Sequence, residues 1–271
     1  MLHFEMLLTN QELCARIQTG LIRQGLLEPP VDGIAGKFTR AAFKIWSNGS
    51  LEFTPALLEK LELPLPPVKG NDLPAKIVRK MQELNYFVSR GDARFNIVYL
   101  EGMNLDGTLN QDKFNNWNDL RLVLEWRLGE VPKIVGKWLA TSEPGGAETP
   151  NAKGMAMIPL PSQFKAWRVG IHKAGTRTAH EALVQVLPIT VLRSKKKPPS
   201  RVGATLDTGL FGINQHHGWN SKVVANNSVG CMVGVYMSEH IKFMSLLKSD
   251  SRYLLDKSYT FYTTALDGAK V

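Results

Sequence analysis

The sequence predicts an α+β protein with a small helical N-terminal part and a larger, mainly β C-terminal part. Apolar residues recur at helical spacing up to about residue 62, and short runs rich in Val, Ile, Trp and Phe alternate with turn residues after about residue 95. Three prolines between positions 64 and 67 separate the two patterns, because proline cannot continue a helix. We therefore expect a helical domain over residues 1–62, a Pro-rich linker over residues 63–72 and a β-rich domain over residues 73–271.

The N-terminal domain is predicted to contain three helices. In residues 10–22 apolar side chains recur three or four positions apart, with Asn10 at the N-cap and Gly25 where the helix should end. Thr39 is the expected N-cap of a second helix, and Thr54, which a proline follows, opens a third. Three short helices form a unit near the lower size limit for independent folding.

The C-terminal domain is predicted to be mainly β. One helix is expected over residues 73–84 and a short one over about residues 237–247. Five further runs predict strands, at residues 95–100, 120–128, 133–141, 182–192 and 258–266. Short β runs that are separated by Gly, Asn, Asp and Pro turns are typical of an antiparallel fold.

The net charge of +9 is concentrated in the C-terminal part of the chain. Residues 1–62 hold six basic and seven acidic side chains, so the positive excess lies beyond them. This distribution favours an anionic partner, while the charge of the N-terminal domain is not that of a nucleic-acid binder. We expect no nucleic-acid partner.

The two cysteines, Cys14 and Cys231, lie far apart in the sequence, which excludes a disulfide scaffold and a Cys-rich zinc site. No HExxH motif is present, and we expect neither a metal nor an organic cofactor. No stretch approaches the roughly 18 apolar residues of a membrane span. The N-terminus lacks a basic region, and Glu5 interrupts its apolar run. We therefore expect no membrane span and no signal peptide.

The stretch from Ile17 to Trp46 carries the first motif. It contains Asp32-Gly33-x-x-Gly36-x-x-Thr39, in which the glycines permit a tight connection and Asp32 can accept backbone hydrogen bonds. Over about residues 10–62 this pattern resembles the three-helix peptidoglycan-binding domain. The resemblance implies a groove for cell-wall glycan or stem peptide, and Trp46 is assigned to substrate binding.

The second motif places two adjacent histidines, His216 and His217, before Cys231. A catalytic cysteine needs a nearby base to generate thiolate, and a flexible backbone that exposes N–H groups to an oxyanion. The doublet supplies the base, and Gly230 precedes the cysteine. The polar loop between them can bring the two ends together. From the residues alone, an inert buried cysteine beside two surface histidines remains an alternative.

The pattern His-x(n)-Ser228-x-Gly230-Cys231 resembles the signature of the L,D-transpeptidase catalytic domain, a β-sandwich-like enzyme that acts on peptidoglycan stem peptides. The resemblance implies that Cys231 is the nucleophile and His216 the base, with His217 as second choice. It also implies that Ser228 and Gly230 shape the cysteine loop.

Two positions depart from that family pattern. Val229 stands where the family usually has His, and Val233 stands where it usually has Arg. The choice of substrate and the balance between hydrolysis and cross-linking therefore stay open. Asn214 and Trp219, which flank the histidines, are assigned to substrate binding.

We therefore predict a peptidoglycan-directed cysteine hydrolase that cleaves a peptide bond in the stem peptide or cross-link through an acyl-enzyme, as an endolysin would. The alternatives are an L,D-transpeptidase that forms cross-links and a non-catalytic wall-binding or virion structural protein. The expected partner is the anionic cell wall, with synthesis in the cytoplasm of the producing cell and action at the wall after release. His172 and His180 could join the site, and the oligomeric state is open.

Overall fold

The computed structural model describes residues 2–146, 149 and 151–271. The described residues contain six α-helices and a large, mostly β sheet, which confirms the predicted α+β class. They divide into two compact units, residues 1–95 with 125–133 and residues 96–124 with 134–271. None of the described helices combines the length and the apolarity that a bilayer crossing needs.

The N-terminal unit contains four helices, a short 3-10 helix and a two-stranded sheet. In chain order these are β1 (Leu2–His3), the 3-10 helix (Phe4–Leu8), α1 (Gln11–Arg23), α2 (Lys37–Trp46), β2 (Glu52–Phe53), α3 (Pro55–Glu62) and α4 (Leu73–Glu83). The predicted caps of α1 and α3 are confirmed, since Asn10 accepts from the N–H of Leu13 at 2.9 Å and Thr54 from that of Leu57 at 3.3 Å.

The predicted N-cap of α2 is wrong. The helix begins two residues before Thr39, and its N-cap residue, Gly36, makes no side-chain capping bond. The hydroxyl of Thr39 instead accepts from Nε2 of Gln18 at 3.1 Å and donates to the carbonyl of Ile34 at 3.3 Å. Thr39 therefore links α2 to α1, a contact that local sequence does not reveal.

The buried amide of Gln18 organises the turn between α1 and α2. Its Nε2 donates to Oδ1 of Asp32 at 2.7 Å, and its Oε1 accepts from the backbone N–H of Gly33 at 2.8 Å. Asp32 also accepts from the N–H of Ile34 at 2.9 Å, and Gly33 has a φ of +70°. The Asp-Gly spacing of the first motif is thus fixed by one glutamine amide.

The compact N-terminal unit extends past the predicted linker. The N–H of Arg90 donates to the carbonyl of Gly25 at 2.7 Å, and the N–H of Gly91 donates to that of Trp126 at 2.9 Å. The guanidinium of Arg90 also lies over the Trp126 ring, 4.5 Å from its centre. These contacts explain why α4 and residues 84–95 group with the N-terminal helices, and why the unit ends at Phe95 instead of within residues 63–72.

The C-terminal unit is built on two sheets. Its elements are β3 (Phe95–Glu101), β4 (Asp119–Glu125), β5 (Lys133–Thr141), β6 (Met155–Met157), β7 (Ser162–His172), β8 (His180–Gln185), β9 (Ile189–Ser194), β10 (Thr205–Gly209), β11 (Gln215–His217), β12 (Met232–Gly234), α5 (Met237–Lys248), α6 (Ser251–Leu255) and β13 (Phe261–Asp267). Eight strands form a closed barrel in the order β11-β12-β5-β4-β3-β13-β7-β8. The strands β10, β9 and β6 form a second, three-stranded sheet.

Two details of the barrel position the site. The single strand predicted over residues 182–192 is two strands, β8 and β9, because Pro188 lies between them and cannot donate to a sheet. β8 pairs with β7 in an antiparallel hairpin whose last pair is His172 with His180. β11 and β12 are parallel neighbours, with His216 opposite Val233.

Candidate active site

The parallel pairing of β11 and β12 places the predicted cysteine and histidine on neighbouring strands. The N–H of Met232 donates to the carbonyl of Asn214 at 3.0 Å, so Cys231 lies across from Asn214 at the start of the pair. Because residues two apart on a strand share a face, His216 and Cys231 are diagonal neighbours on one face. Such neighbours have Cα atoms about 7–8 Å apart, within reach of a long side chain.

The turn before Cys231 is built by Ser228 and Gly230. The buried hydroxyl of Ser228 donates to the carbonyl of Cys231 at 2.8 Å and accepts from the N–H of Gly230 at 3.2 Å. Gly230 has a φ of +137°, and a Cβ there would lie 2.8 Å from that of Ala156. Both residues therefore have the contacts expected of residues that shape the cysteine loop.

The thiol of Cys231 is held in its neutral form. Its Sγ lies 3.5 Å from the carbonyl of Gly212, to which it donates. Burial raises the pKa of the Cys231 thiol, while the backbone N–H of Asn214 and the charge of Lys173 act in the opposite direction. Attack by this sulfur would therefore require a base that removes the proton during the reaction.

His216 has the tautomer that a general base requires. Its buried ring places Nδ1 2.9 Å from the carbonyl oxygen of His217. Since a carbonyl only accepts, Nδ1 carries the proton and Nε2 keeps its lone pair. Burial, reinforced by His172, lowers the pKa of His216 to about 3, so the ring is neutral at physiological pH.

His217 faces the other side of β11. Successive strand residues alternate between faces, and Gln215, on the face of His217, donates to the hydroxyl of Thr263 at 2.7 Å inside the barrel. Nδ1 of His217 accepts from the N–H of Trp219 at 3.3 Å. Burial lowers the pKa of His217 to about 4, with His180 adding to the effect. The two rings of the doublet therefore do not share one environment.

Five histidines form one cluster, which we call the histidine cluster: His172, His180, His216, His217 and His240. The rings of His172 and His216 stack with centres 4.0 Å apart and planes 9° apart, and the centres of His180 and His217 are also 4.0 Å apart. His172 and His180 arrive there through the β7–β8 hairpin. No sequence motif connects them with the doublet, because the connection depends on strand register.

A second group of titratable side chains is neutralised by an arginine. Glu101, Asp112 and Glu143 are the only described His, Cys, Asp or Glu side chains that place three ligand atoms within 4.8 Å of one another. The guanidinium of Arg201 forms two bonds of 2.6 Å with Glu101 and one of 3.2 Å with Glu143. Burial raises the pKa of Glu143, and Glu101 raises it further. The arginine occupies the position that a cation would take, so we assign this group to the structure of the barrel.

The three residues assigned to substrate have different surroundings. Trp219 is 46% exposed, with its ring edge-on to that of His217 at 4.4 Å. Trp46 is half-buried in the N-terminal core, edge-on to Phe43 at 5.4 Å. Asn214 makes hydrogen bonds within the protein through both the oxygen and the nitrogen of its side-chain amide. Among the three, the surroundings of Trp219 are the ones compatible with direct contact to a ligand near the histidines.

A cavity of about 310 Å³ opens in the loop that follows the doublet. Its lining combines aromatic, amide, hydroxyl and amine groups, contributed by Asn116, Trp117, Leu139, Asn220, Ser221, Lys222, Val235 and Tyr236. The N–H of Asn220 donates to the carbonyl of Val235 at 3.1 Å, which ties this loop to the end of β12. Among its lining residues, Asn220 and Val235 lie at the end of the β11–β12 pair opposite to Cys231, and neither His216 nor Cys231 is part of the lining.

Comparison of the chain with known protein families, with curated proteins and with solved structures gives no match. The two resemblances stated above therefore rest on the motif residues that carry them.

Proposed function

We propose that this protein is a cysteine hydrolase that cleaves a peptide bond in the stem peptide or cross-link of peptidoglycan. The observation that carries the proposal is the tautomer of His216 and its place on the strand. Its Nδ1–H is fixed on the next carbonyl, which leaves the lone pair on Nε2, and its position on β11 shares a face with that of Cys231. A neutral imidazole with a free Nε2 is the form that accepts a thiol proton.

The reaction would proceed through a thioester. Sγ of Cys231 attacks the carbonyl carbon of the scissile amide as its proton moves to Nε2 of His216. His216 returns that proton to the leaving amine, the C–N bond breaks, and the thioester remains. Water then attacks the thioester carbon and gives its proton to His216. The C–S bond breaks, His216 returns its proton to Sγ, and the acid product leaves.

The oxyanion of the tetrahedral intermediates needs a backbone donor near the cysteine. The N–H of Gly230 is engaged with Ser228. We therefore assign the oxyanion to the N–H of Cys231, which the Ser228 bond to the Cys231 carbonyl helps to orient.

The peptidoglycan substrate is inferred from the sequence. Residues 10–62 resemble a three-helix peptidoglycan-binding domain, and the segment around Cys231 resembles L,D-transpeptidases. The excess positive charge beyond residue 62 would attract an anionic wall. A binding module on the same chain raises the local concentration of substrate. We accordingly propose the cell wall as partner and release from the producing cell as the route to it.

Two other functions are the alternatives to hydrolysis. An amine in place of water would attack the same thioester and form a cross-link, as in an L,D-transpeptidase. A non-catalytic wall-binding or virion structural role is favoured by the raised pKa of Cys231, because an inert thiol has the same property.

Mass spectrometry of purified muropeptides separates the three functions. The wild type, Cys231→Ala and Cys14→Ala would each be incubated with walls of several chemotypes; Cys14 is a matched control because it is buried in the N-terminal core. Shortened stems that vanish only in Cys231→Ala establish the hydrolase and name the bond. New cross-linked dimers establish a transpeptidase. Unchanged muropeptides in all samples support the non-catalytic function.

A further inference from the structure

We propose that His172 and Asn214 are positioning residues for the base His216, with Asn214 orienting the ring of His172 and that ring holding His216 in place. This inference rests on the proposed function, since it concerns the base of that reaction. It uses two residues whose contacts lie within the protein and not on the substrate.

The amide of Asn214 is fixed by two bonds. The backbone N–H of Gln185 donates to its Oδ1 at 2.9 Å, which identifies the oxygen end of the amide. The nitrogen end, Nδ2, lies 2.9 Å from Nδ1 of His172. Because Nδ2 can only donate, Nδ1 of His172 accepts and the proton of the neutral ring sits on Nε2. Asn214 therefore sets both the tautomer and the orientation of His172.

The ring of His172 then packs against the ring of His216 and limits its rotation. The two ring centres are 4.0 Å apart and the planes differ by 9°, which is face-to-face contact. His216 keeps its Nδ1–H on the carbonyl of His217 only while its ring stays in that plane. Rotation of the ring would move Nε2 away from the face of Cys231, and small displacements of a catalytic group are costly.

The stack also keeps the base neutral. Two imidazolium rings at 4.0 Å would repel one another, and protonation of His172 at Nδ1 would break its bond with Asn214. Burial followed by His180 lowers the pKa of His172 to about 4. The other titratable or charged groups near the pair are His180 on β8, His217 on β11, Lys173 after β7 and the thiol of Cys231 on the face of His216, which its raised pKa keeps neutral. None of them offers a negative charge that would favour an imidazolium.

Three variants test this arrangement. His172→Ala removes the ring that packs on His216. Asn214→Leu removes both hydrogen bonds of the side-chain amide at similar volume, and Ile97→Ala is the control. Ile97 is buried on β3 in the same barrel, so its truncation costs packing without touching the histidine cluster. The readouts are nitrogen-15 spectra of labelled histidine, which report the tautomer and pKa of His216, and the pH profile of kcat for stem-peptide cleavage.

We expect His172→Ala to give His216 a mixture of tautomers and to raise its pKa by about one unit, as the repelling neighbour is lost. The acid limb of the kcat profile should move up with it, and kcat should fall about 10- to 100-fold with little change in KM. Asn214→Leu should move both readouts in the same direction by less, and Ile97→Ala should move neither.

The proposal is overturned if His216 keeps one tautomer and its pKa in both variants, or if Ile97→Ala lowers kcat as much as His172→Ala. Failure of the proposed function is a separate result. In that case the wild type shows no Cys231-dependent cleavage of walls, while the spectra of His216 still respond to His172→Ala and Asn214→Leu.

Discussion

The Gln18 network of the N-terminal unit and the histidine cluster of the C-terminal unit both bury polar side chains, but they differ in how completely their atoms are paired. Every polar atom of the Gln18 amide has a partner in the α1–α2 turn. In and beside the histidine cluster, Nε2 of His180 and both Nε and Nη2 of Arg121 are buried without a hydrogen-bond partner. Complete pairing is what a structural network needs, and incomplete pairing is more typical of a site that handles protons or ligands.

The largest expected effect is a difference in kcat between substitutions on the two faces of β11. His216→Gln should lower kcat for stem-peptide cleavage by about 10²- to 10⁴-fold, because it removes the group that accepts the thiol proton. His217→Gln is the matched control, since it alters the neighbouring residue on the opposite face and should cost much less. Initial rates on muropeptides measure both, and equal losses would contradict the assignment of the base to His216.

The next largest effect should be a difference between the two units in their stability at acidic pH. The pKa of His172 and His217 is lowered to about 4 and that of His216 to about 3, chiefly by burial. A histidine that is harder to protonate when folded contributes full stability above about pH 6.5 and loses it as the pH falls toward the folded pKa, up to about 3 kcal/mol for His172 alone. Hydrogen exchange from pH 7 to pH 4 should therefore show loss of protection in β7, β8 and β11, which carry the clustered rings, while the raised pKa values of Asp119 and Glu143 act in the opposite direction beside Arg201.

The N-terminal unit provides the control for that measurement. Its lone histidine, His3, is exposed, and hydrogen bonds from Gln18 and Ile34 lower the pKa of Asp32 below its ordinary value of 3.8. The contribution of Asp32 is present above pH 3.8 and is lost only as the pH falls further. Equal loss of protection in both units between pH 6.5 and pH 4 would show that the histidine cluster is not the cause.

Loss of the Gln18 network should have a smaller effect, which falls on the stability of the N-terminal unit and not on cleavage. Gln18→Leu should lower the free energy of unfolding of the N-terminal unit by about 2–3 kcal/mol, because Thr39 and the Asp32-Gly33 backbone lose buried partners. Gln24→Ala, which removes an amide bond to the carbonyl of Leu63 at the surface, is the control and should cost less than about 1 kcal/mol. Denaturant titration measures both, with cleavage by Cys231 unchanged per folded molecule.

The smallest effect concerns the two thiols. Cys14 is completely buried and Cys231 half-buried, and burial raises the pKa of both above the ordinary 9.0. Iodoacetamide should therefore label Cys231 slowly at neutral pH and faster above pH 9, while native Cys14 stays unlabelled. Rapid labelling of Cys231 near pH 7 would show a resting thiolate and would remove the need for proton transfer during attack.

Local sequence predicted what local contacts decide. The caps Asn10 and Thr54 bond to residues three positions away, so they could be recognised from spacing alone. Thr39 also matches the N-cap pattern, but its hydroxyl accepts a hydrogen bond from Gln18, which lies 21 residues earlier in the chain. The end of the N-terminal unit was missed for the same reason, because Arg90 and Gly91 bond to residues far from them in the chain.

The candidate site shows the same limit. The motif predicts Cys231, Ser228, Gly230 and the doublet as site residues, and one parallel strand pair places the doublet and the cysteine on neighbouring strands. The choice between His216 and His217 needs the register of β11, which decides the face of each ring. His172 was noted only as a possible member, since its place depends on the β7–β8 hairpin, which the sequence pattern did not predict.

The parallel pairing of β11 and β12 has a consequence for how the protein can diversify. Residues 218–231 return the chain to the starting end of the strand pair. Hydrogen bonds hold this return loop at two places: Asn115 accepts from the N–H groups of Val224 and Ala225, and the N–H of Gly145 donates to the carbonyl of Ser228. The cysteine's alignment is set separately, by the bond from Met232 to Asn214. Insertions and exchanges in the outer part of the loop would therefore reshape the cavity wall while the reacting pair keeps its register. Under the proposed function, ligand preference and bond-breaking chemistry can change independently in such a chain.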